Sequence, residues 1–435
     1  LYEEAAILAS IIPLRGVRYN PRVVPDLAQV VTPPYDVIDE TAQNRYYDRN
    51  PYNVIRLEYG KTAPTDDAKN NRYTRAGETF SSWIADEVLV QDTQQCLYLY
   101  EQQFTVHVKT YARHGFFCGV RVEPYESGVV LPHEETLPKH KKDRLELMRL
   151  CRGNFSPIFG IYPEKEMVSS IIIGKAMQND PDVSFTDELG QTHRMWIVRD
   201  HAVINPIISL MEQKRIFIAD GHHRYETALA YSQEVGGPGL HNYTLMVLVN
   251  LYDPGLVVLP THRLVQNPQG IAPETLISEL GNLFEVTPAS VEPENFTLFL
   301  DDLETRGKGS FGLYTGDGCL FVLSLKPGAD LDGLMPADKS LAWRRLDVTI
   351  LHSLILEKYL GIGSAERTDE GLIRYTREEA GALEKVDRGE FAFAFFMNPT
   401  GVDELVAVAE AGEKMPQKST YFYPKLSTGL VINKF

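Results

Sequence analysis

The chain has 435 residues, 43% of them hydrophobic and 23% charged, with a formal net charge of -16. That length suits two or three packed domains, and a core of such size needs no disulfide staples. The acidic balance argues against nucleic acid as a partner, and no run of about 18 apolar residues points to a membrane span.

The opening LYEEAAILASIIPL carries two glutamates where a secretory signal has a basic start, so it reads as a short helix feeding a strand. Pro33 and Pro34 then force an extended approach to Tyr35 and Asp36. VIRLEY (54–59) alternates apolar and polar residues as a half-buried strand does. Residues 67–88 place Tyr73, Ala76, Phe80 and Ile84 at helical spacing. CLYLYEQQF and GFFCGVRVE are β-rich runs that pair as a hairpin or meander. A proline-bracketed loop with His133, Glu134 and Glu135 follows. KKDRLELMRLC then reads as a helix with Leu145, Met148 and Leu150 inward, and SPIFGIY as a buried strand.

From MWIVRD onward, strands alternate with helices, the mark of an α/β unit. RIFIA is a strand, a helix runs from about His223 to Val235, YTLMVLVNL is a buried strand, and GLVVLPTHRLV closes the region. Near residue 270 the pattern changes. PETLISELGNLFEV reads as a helix entering a strand. FTLFL, SFGLYTGDGCLFVLSL and EFAFAFFM read as strands, the middle one turning at Gly316-Asp317-Gly318. LDVTILHSLILEKYL is an amphipathic helix, and residues 326–340 are the best candidate for a mobile loop. The fold class expected is α/β with mixed α+β character. Residues 1–270 form an α/β domain with an inserted antiparallel β region at about 90–165, and residues 271–435 form a C-terminal α+β domain. The four cysteines, Cys96, Cys118, Cys151 and Cys319, form no CxxC and read as reduced core residues of a cytoplasmic protein.

The densest chemistry lies in KRIFIADGHHRYETALAY. A strand ends at Asp220, and Gly221 permits a tight or left-handed turn. The first N–H groups of the helix that follows point outward with its dipole, making an anion site. Arg224 adds a fork of donors matched to phosphate oxygens. His222 and His223 add donors that can move protons near neutral pH, with His223 the candidate catalytic group of the two. Asp220 suits a helix cap, a histidine partner, or a Mg²⁺ ligand beside phosphate. The plain alternative is a capped helix with surface histidines.

This turn, together with PPYDVI, NPYNVIRL, DRLELM, SPIFGIY and MPQKSTYFYPKLSTGLV, resembles a bacterial and archaeal domain-of-unknown-function family numbered 1015. The Asp-Gly-His-x-Arg turn also resembles the ParB/sulfiredoxin superfamily, which implies a nucleotide-binding core carrying a large insertion. Sulfiredoxins carry Gly-Cys-His-Arg there, so the place of their cysteine is taken here by His222 and their thiol chemistry is not expected. The net charge and the lack of an obvious helix-turn-helix argue against a ParB-type DNA clamp. Free-serine kinases of the superfamily carry Asp-Gly-His-x-Arg, where the turn holds adenine-nucleotide phosphates and a separate carboxylate activates the acceptor hydroxyl.

The resemblance thus implies phosphoryl transfer from ATP or ADP, with Mg²⁺, to a small hydroxylated metabolite, free serine being one such acceptor. Phosphates would rest on Asp220, Gly221, His222, His223 and Arg224. Asp36 is the first choice for the base and Glu134 the competitor. Arg263, after the VVLP strand, and Lys418, Ser419 and Thr420 are further candidate phosphate ligands; the last three are not a Walker loop. Alternatives are a nucleotide-responsive regulator without turnover, a metal-dependent phosphohydrolase, and a scaffold. Acceptor, nucleotide base and oligomeric state are not encoded in these patterns.

Overall fold

The computed structural model describes residues 9–134, 138–290, 296–369 and 371–435. The opening helix expected before residue 9, and Glu135, lie outside these. The chain divides into two compact units: Leu1–Pro132, Thr136–Val257 and Pro424–Phe435 form the first, and His133–Glu135 with Val258–Tyr423 form the second.

The first unit is built on a mixed nine-stranded sheet with helices, so the α/β expectation holds. Its main path runs Val130–Leu131, Ile216–Asp220, Ile158–Tyr162, Tyr243–Asn250, Lys109–Arg121, Leu97–Val106, Thr192–Val198, Val183–Thr186. Ile216–Asp220 is parallel to Val130–Leu131, Ile158–Tyr162 is parallel to Tyr243–Asn250, and the other neighbours on the path are antiparallel. The long hairpin of Leu97–Val106 and Lys109–Arg121 is the one the sequence announces. One face buries Leu97, Leu99, Phe116, Cys118, Ile216, Ile218, Met246 and Leu248 with Ile204, Ile207 and Met211 of the His201–Met211 helix and Tyr225 and Ala228 of the His222–Val235 helix. A second cluster joins Phe80 and Trp83 of the Arg72–Ala85 helix to Leu147, Cys151 and Phe155.

The second unit carries a six-stranded antiparallel sheet ordered Phe284–Ala289, Leu320–Leu325, Ser310–Tyr314, Phe393–Met397, His262–Val265, Ile373–Thr376. Phe296, Phe299 and Leu303 pack with Tyr314, Val322, Ala394 and Phe396.

Four local expectations are corrected. VIRLEY is not a strand: Ile55–Glu58 is a helical turn, because the Asn53 side chain accepts from the Ile55 N–H at 3.0 Å and starts it. FTLFL is the start of a helix, Phe296–Arg306, whose apolar stripe of Phe296, Phe299 and Leu303 outweighs the β preference of its first residues. Leu147, not Leu150, faces inward on the Pro138–Cys151 helix; Leu150 is 45% exposed. Three cysteines are buried, but Cys319, at the hairpin turn, is exposed. Residues 326–340 include a short helix, Leu331–Leu334.

Candidate functional site

The Ile216–Asp220 strand shifts register against Ile158–Tyr162 between Ile218 and Asp220. Such a bulge re-aims the next side chain, and it lets Asp220 leave the inward row of Ile216 and Ile218. Gly221 follows with φ +94° and serves as the N-cap of the His222–Val235 helix without a side-chain cap. Asp220 therefore does not cap the helix. A Cβ on Gly221 would lie 2.8 Å from Arg224 Nε, so the guanidinium occupies the space that any larger residue would need.

Arg224 is engaged inside the protein. One end donates to Asp220 Oδ2 at 2.7 Å and the other to the Pro157 carbonyl, and the side chain is buried. Two of the five guanidinium N–H donors are thus engaged within the corner. The residue the sequence reading did not select is Lys425. Its ammonium donates to Asp220 Oδ1. Both carboxylate oxygens of Asp220 are thus engaged by cations. Burial by itself would raise the Asp220 pKa, but Lys425 and Arg224 overcome it and hold the carboxyl well below its usual range. His222 is buried and His223 half-buried.

Lys425 is delivered by a grip on its backbone. Arg113 and Gln102, facing each other across the long hairpin and both buried, donate to the carbonyls of Pro424 at 2.8 Å and Lys425 at 3.1 Å. Burial lowers the Arg113 pKa to about 10, with Tyr100, Asp253 and Asp220 opposing. It remains a cation at neutral pH. Two cations, Lys425 and Arg224, therefore pair with one carboxylate here, and Arg113 interacts with it electrostatically without touching it.

The same tail fixes the loop that carries Asp36. Thr428 and Thr32 exchange backbone hydrogen bonds at 2.8 and 3.4 Å. Asp36 is exposed on the short turn Tyr35–Val37. It lies near enough to Arg224 to be among the carboxylates, after Asp220, that raise the guanidinium's pKa against burial. Beneath this loop the Arg144 guanidinium stacks 4.0 Å over the Tyr35 ring, pairs with Asp143 at 2.5 Å, and meets Glu58 at 3.3 Å. Asp143 and Arg144, neighbours in the sequence, therefore pair. Ser156 donates to Glu58 at 2.8 Å. Burial raises the Glu58 pKa despite Arg144 and Ser156. Glu58, Arg144, Ser156 and Arg224 line a cavity of about 30 Å³. That is room on the scale of one water molecule, not a nucleotide. In the sequence Glu58 shows only as one of the polar positions of the alternating VIRLEY run.

The other expected site residues lie in the second unit and form a cluster of their own. Glu134 accepts from the Lys418 N–H at 2.9 Å. His133 Nε2 and Thr420 Oγ1 are 2.8 Å apart. Ser419 donates to the Pro416 carbonyl, and its own carbonyl accepts from Thr400 Oγ1 at 2.7 Å. Arg263 is buried, donates to the Lys418 carbonyl at 3.1 Å, and has its pKa lowered to about 10 by burial. Lys418 itself has φ +57°, an uncommon conformation for a non-glycine residue. Among the described residues no group of three or more His, Cys, Asp or Glu is disposed to hold a metal ion, and no helix is long and apolar enough to cross a membrane.

Fold and site together describe a mixed α/β protein with a charged strand-to-helix corner. The sequence matches the family described as protein of unknown function (DUF1015) over residues 11–349, and the chain belongs to that family. No curated protein matches it. Among solved structures, it is similar to a free serine kinase in complex with AMP, at 17% identity and a TM-score of 0.34, covering 70% of this chain and 89% of that one. A conserved hypothetical protein from Pyrococcus furiosus gives 16% identity and a TM-score of 0.32 over 70% of this chain and 93% of that one. SbnI with a C-terminal truncation, from Staphylococcus aureus, gives 14% identity and 0.34 over 73% and 87%.

Proposed function

We propose that the chain binds a nucleoside polyphosphate, ATP or ADP, at the Asp220–Arg224 corner and passes its terminal phosphoryl group to a small hydroxylated metabolite such as free serine. The observation that carries this reading is the pairing of Lys425 with Asp220 at the start of an uncapped helix. An ammonium and outward-pointing first-turn N–H groups are the donors that phosphate oxygens take. The Asp-Gly-His-x-Arg turn in this setting supports a core of the ParB/sulfiredoxin kind.

In the reaction, the acceptor hydroxyl oxygen attacks the terminal phosphorus. Its proton passes to a carboxylate, and the bond from phosphorus to the departing nucleotide oxygen breaks. Asp36 is the carboxylate that shares a unit with the turn; Glu134 is the competing candidate. His223 is the further proton-carrying candidate. Positioning and charge neutralisation supply most of the catalysis in such transfers. Asp220, whose two oxygens each accept from one cation, is the residue that would hold Mg²⁺, and the ion would supply neutralisation of phosphate charge. Arg224 acts here as the positioner of Asp220 and Gly221. Arg263, Lys418, Ser419 and Thr420 remain candidate phosphate ligands of the second unit.

A regulator that binds nucleotide without turnover is the second reading. The Lys425–Asp220–Arg224 triad supports it, because an arriving phosphate would compete with Asp220 for Lys425. Thermal unfolding with ATP, ADP or AMP, with and without Mg²⁺, tests binding; mass spectrometry of products from a pool of hydroxylated metabolites tests transfer. A nucleotide-dependent rise in Tm and a product 80 Da heavier than its acceptor, the mass of one added phosphoryl group (about 80 Da by composition), are expected. Binding without such a product makes the chain a regulator. No shift with any nucleotide removes both readings. Asp36→Ala keeps binding and stops turnover; if Glu134→Gln does so instead, the base is Glu134.

A further inference from the structure

The first unit contains a second, much larger cavity whose walls play no part in the reading above. It measures about 480 Å³ and is lined by Glu101, His114, Met167, Ile173, Arg194 and Trp196, among others. Ligand pockets for small organic molecules run roughly 300–1,000 Å³, so the size is right for a compact metabolite.

Its walls are preformed. One is the Val168–Ala176 helix, whose first turn is anchored by Glu164 accepting from the N–H groups of Val168 and Ser169, each at 3.0 Å. Asn250 of the central sheet in turn donates to the Glu164 carbonyl at 2.8 Å. The floor is apolar, with Ile173 and Trp196 buried. Gly174 sits inside this helix, where glycine costs about 1 kcal/mol against alanine. A Cβ there would meet nothing within 4 Å. Neither packing nor backbone conformation calls for the glycine, which lines the cavity.

The charged wall decides the ligand's chemistry. His114 Nε2 lies 3.1 Å from Glu101 Oε2, and its Nδ1 lies 3.3 Å from Asp253 Oδ2. Asp253 Oδ1 takes the Gly255 N–H at 2.8 Å, and the other oxygen of Glu101 pairs with Arg194 Nη1. Both acids are thereby committed, and neither calls for a ligand cation. Arg194 is different. Among the described residues its partners, Glu101 and Gln103, both lie on Nη1. A guanidinium has five N–H donors, so Nε and Nη2 supply unspent donor capacity at the rim of an apolar hollow.

We propose that this cavity is a binding site for a small amphipathic anion, an aromatic or branched apolar body carrying one carboxylate or sulfonate. The body lies against Ile173, Trp196, Met167 and Met177, and the anionic group meets the outer edge of Arg194. The site stands independently of the phosphate corner.

The test uses a matched pair of probes on the full chain: 8-anilinonaphthalene-1-sulfonate and its neutral counterpart N-phenyl-1-naphthylamine. Fluorescence titration should show one saturable site for the sulfonate, with the neutral probe weaker by about tenfold, the scale of one charge-assisted contact. Arg194→Gln should weaken the sulfonate by about the same factor and leave the neutral probe unchanged. Gly174→Trp should abolish binding of both, since the indole fills the hollow, while melting at or above the wild-type temperature. Ser170→Phe, from the same helix, is the second blocking variant should the first fail to fold. No saturable binding, equal affinity for the two probes, or sulfonate binding untouched by both blocking variants would each overturn the proposal.

Discussion

Lys425 donates to Asp220 across 205 positions of sequence, and it does so at the turn where Arg224 already holds the other carboxylate oxygen. The triad joins the last stretch of chain to the Ile216–Asp220 strand, second from one end of the first unit's sheet path. It makes the turn's charge a property of the tail.

Removing Lys425 should therefore be felt in two ways. Lys425→Met leaves a largely buried carboxylate with one cation, at an expected cost of about 2 kcal/mol. The Asp220 pKa is depressed in the folded state. Its contribution is thus fully present above the ordinary carboxylate value and is lost as pH falls through the depressed one. In Lys425→Met the loss should begin at higher pH. Urea unfolding of the two proteins between pH 3 and 7 reads the difference, and any nucleotide-induced Tm shift should disappear with it.

Gly221→Ala places a methyl at φ +94° and against the Arg224 guanidinium. A cost of about 1–3 kcal/mol is expected from the backbone conformation and the displaced arginine. Gly236→Ala, also at positive φ but with nothing within 4 Å of the added carbon, is the control. A Gly221 variant no less stable than this control would show that the turn tolerates a side chain.

Arg144→Met strips Glu58 of its buried partner. Breaking such a pair costs about 3–5 kcal/mol when the remaining charge stays uncompensated. Burial already raises the Glu58 pKa, and loss of Arg144 raises it further. The penalty should therefore be largest at pH 8 and shrink toward pH 5 as Glu58 takes up a proton. Chemical denaturation of wild type and variant at both pH values gives the comparison.

His114, donating to Asp253 and Glu101, has its pKa raised to about 9. A group raised above its unfolded value stabilises fully below that value, near 6.5, and the gain is lost as pH rises through about 9. His114→Asn should be less stable than wild type at pH 6, and the gap should narrow by pH 10. A pH titration of the imidazole C–H resonances by NMR locates the midpoint directly.

The hairpin, the Arg72–Ala85 helix and the central strands were legible because each repeats its apolar residues at the period of the element it forms. Ile55–Glu58 and Phe296–Arg306 were misread for opposite reasons. In the first, one asparagine side chain starts a turn inside an alternating run; in the second, a helical stripe of Phe296, Phe299 and Leu303 begins with residues that favour strands.

The site divides in the same manner. The sequence alone determined the corner, because a strand, a glycine at positive φ and a helix are local events, and the charged residues sit on that single turn. Only the tertiary structure decided what those charges do. It turned Arg224 inward to Asp220 and Pro157, brought Lys425 in from the far end of the chain, and left Asp36 exposed while Glu58 was buried. Pairing of buried charges depends on distances across the fold, and no spacing along the chain encodes them.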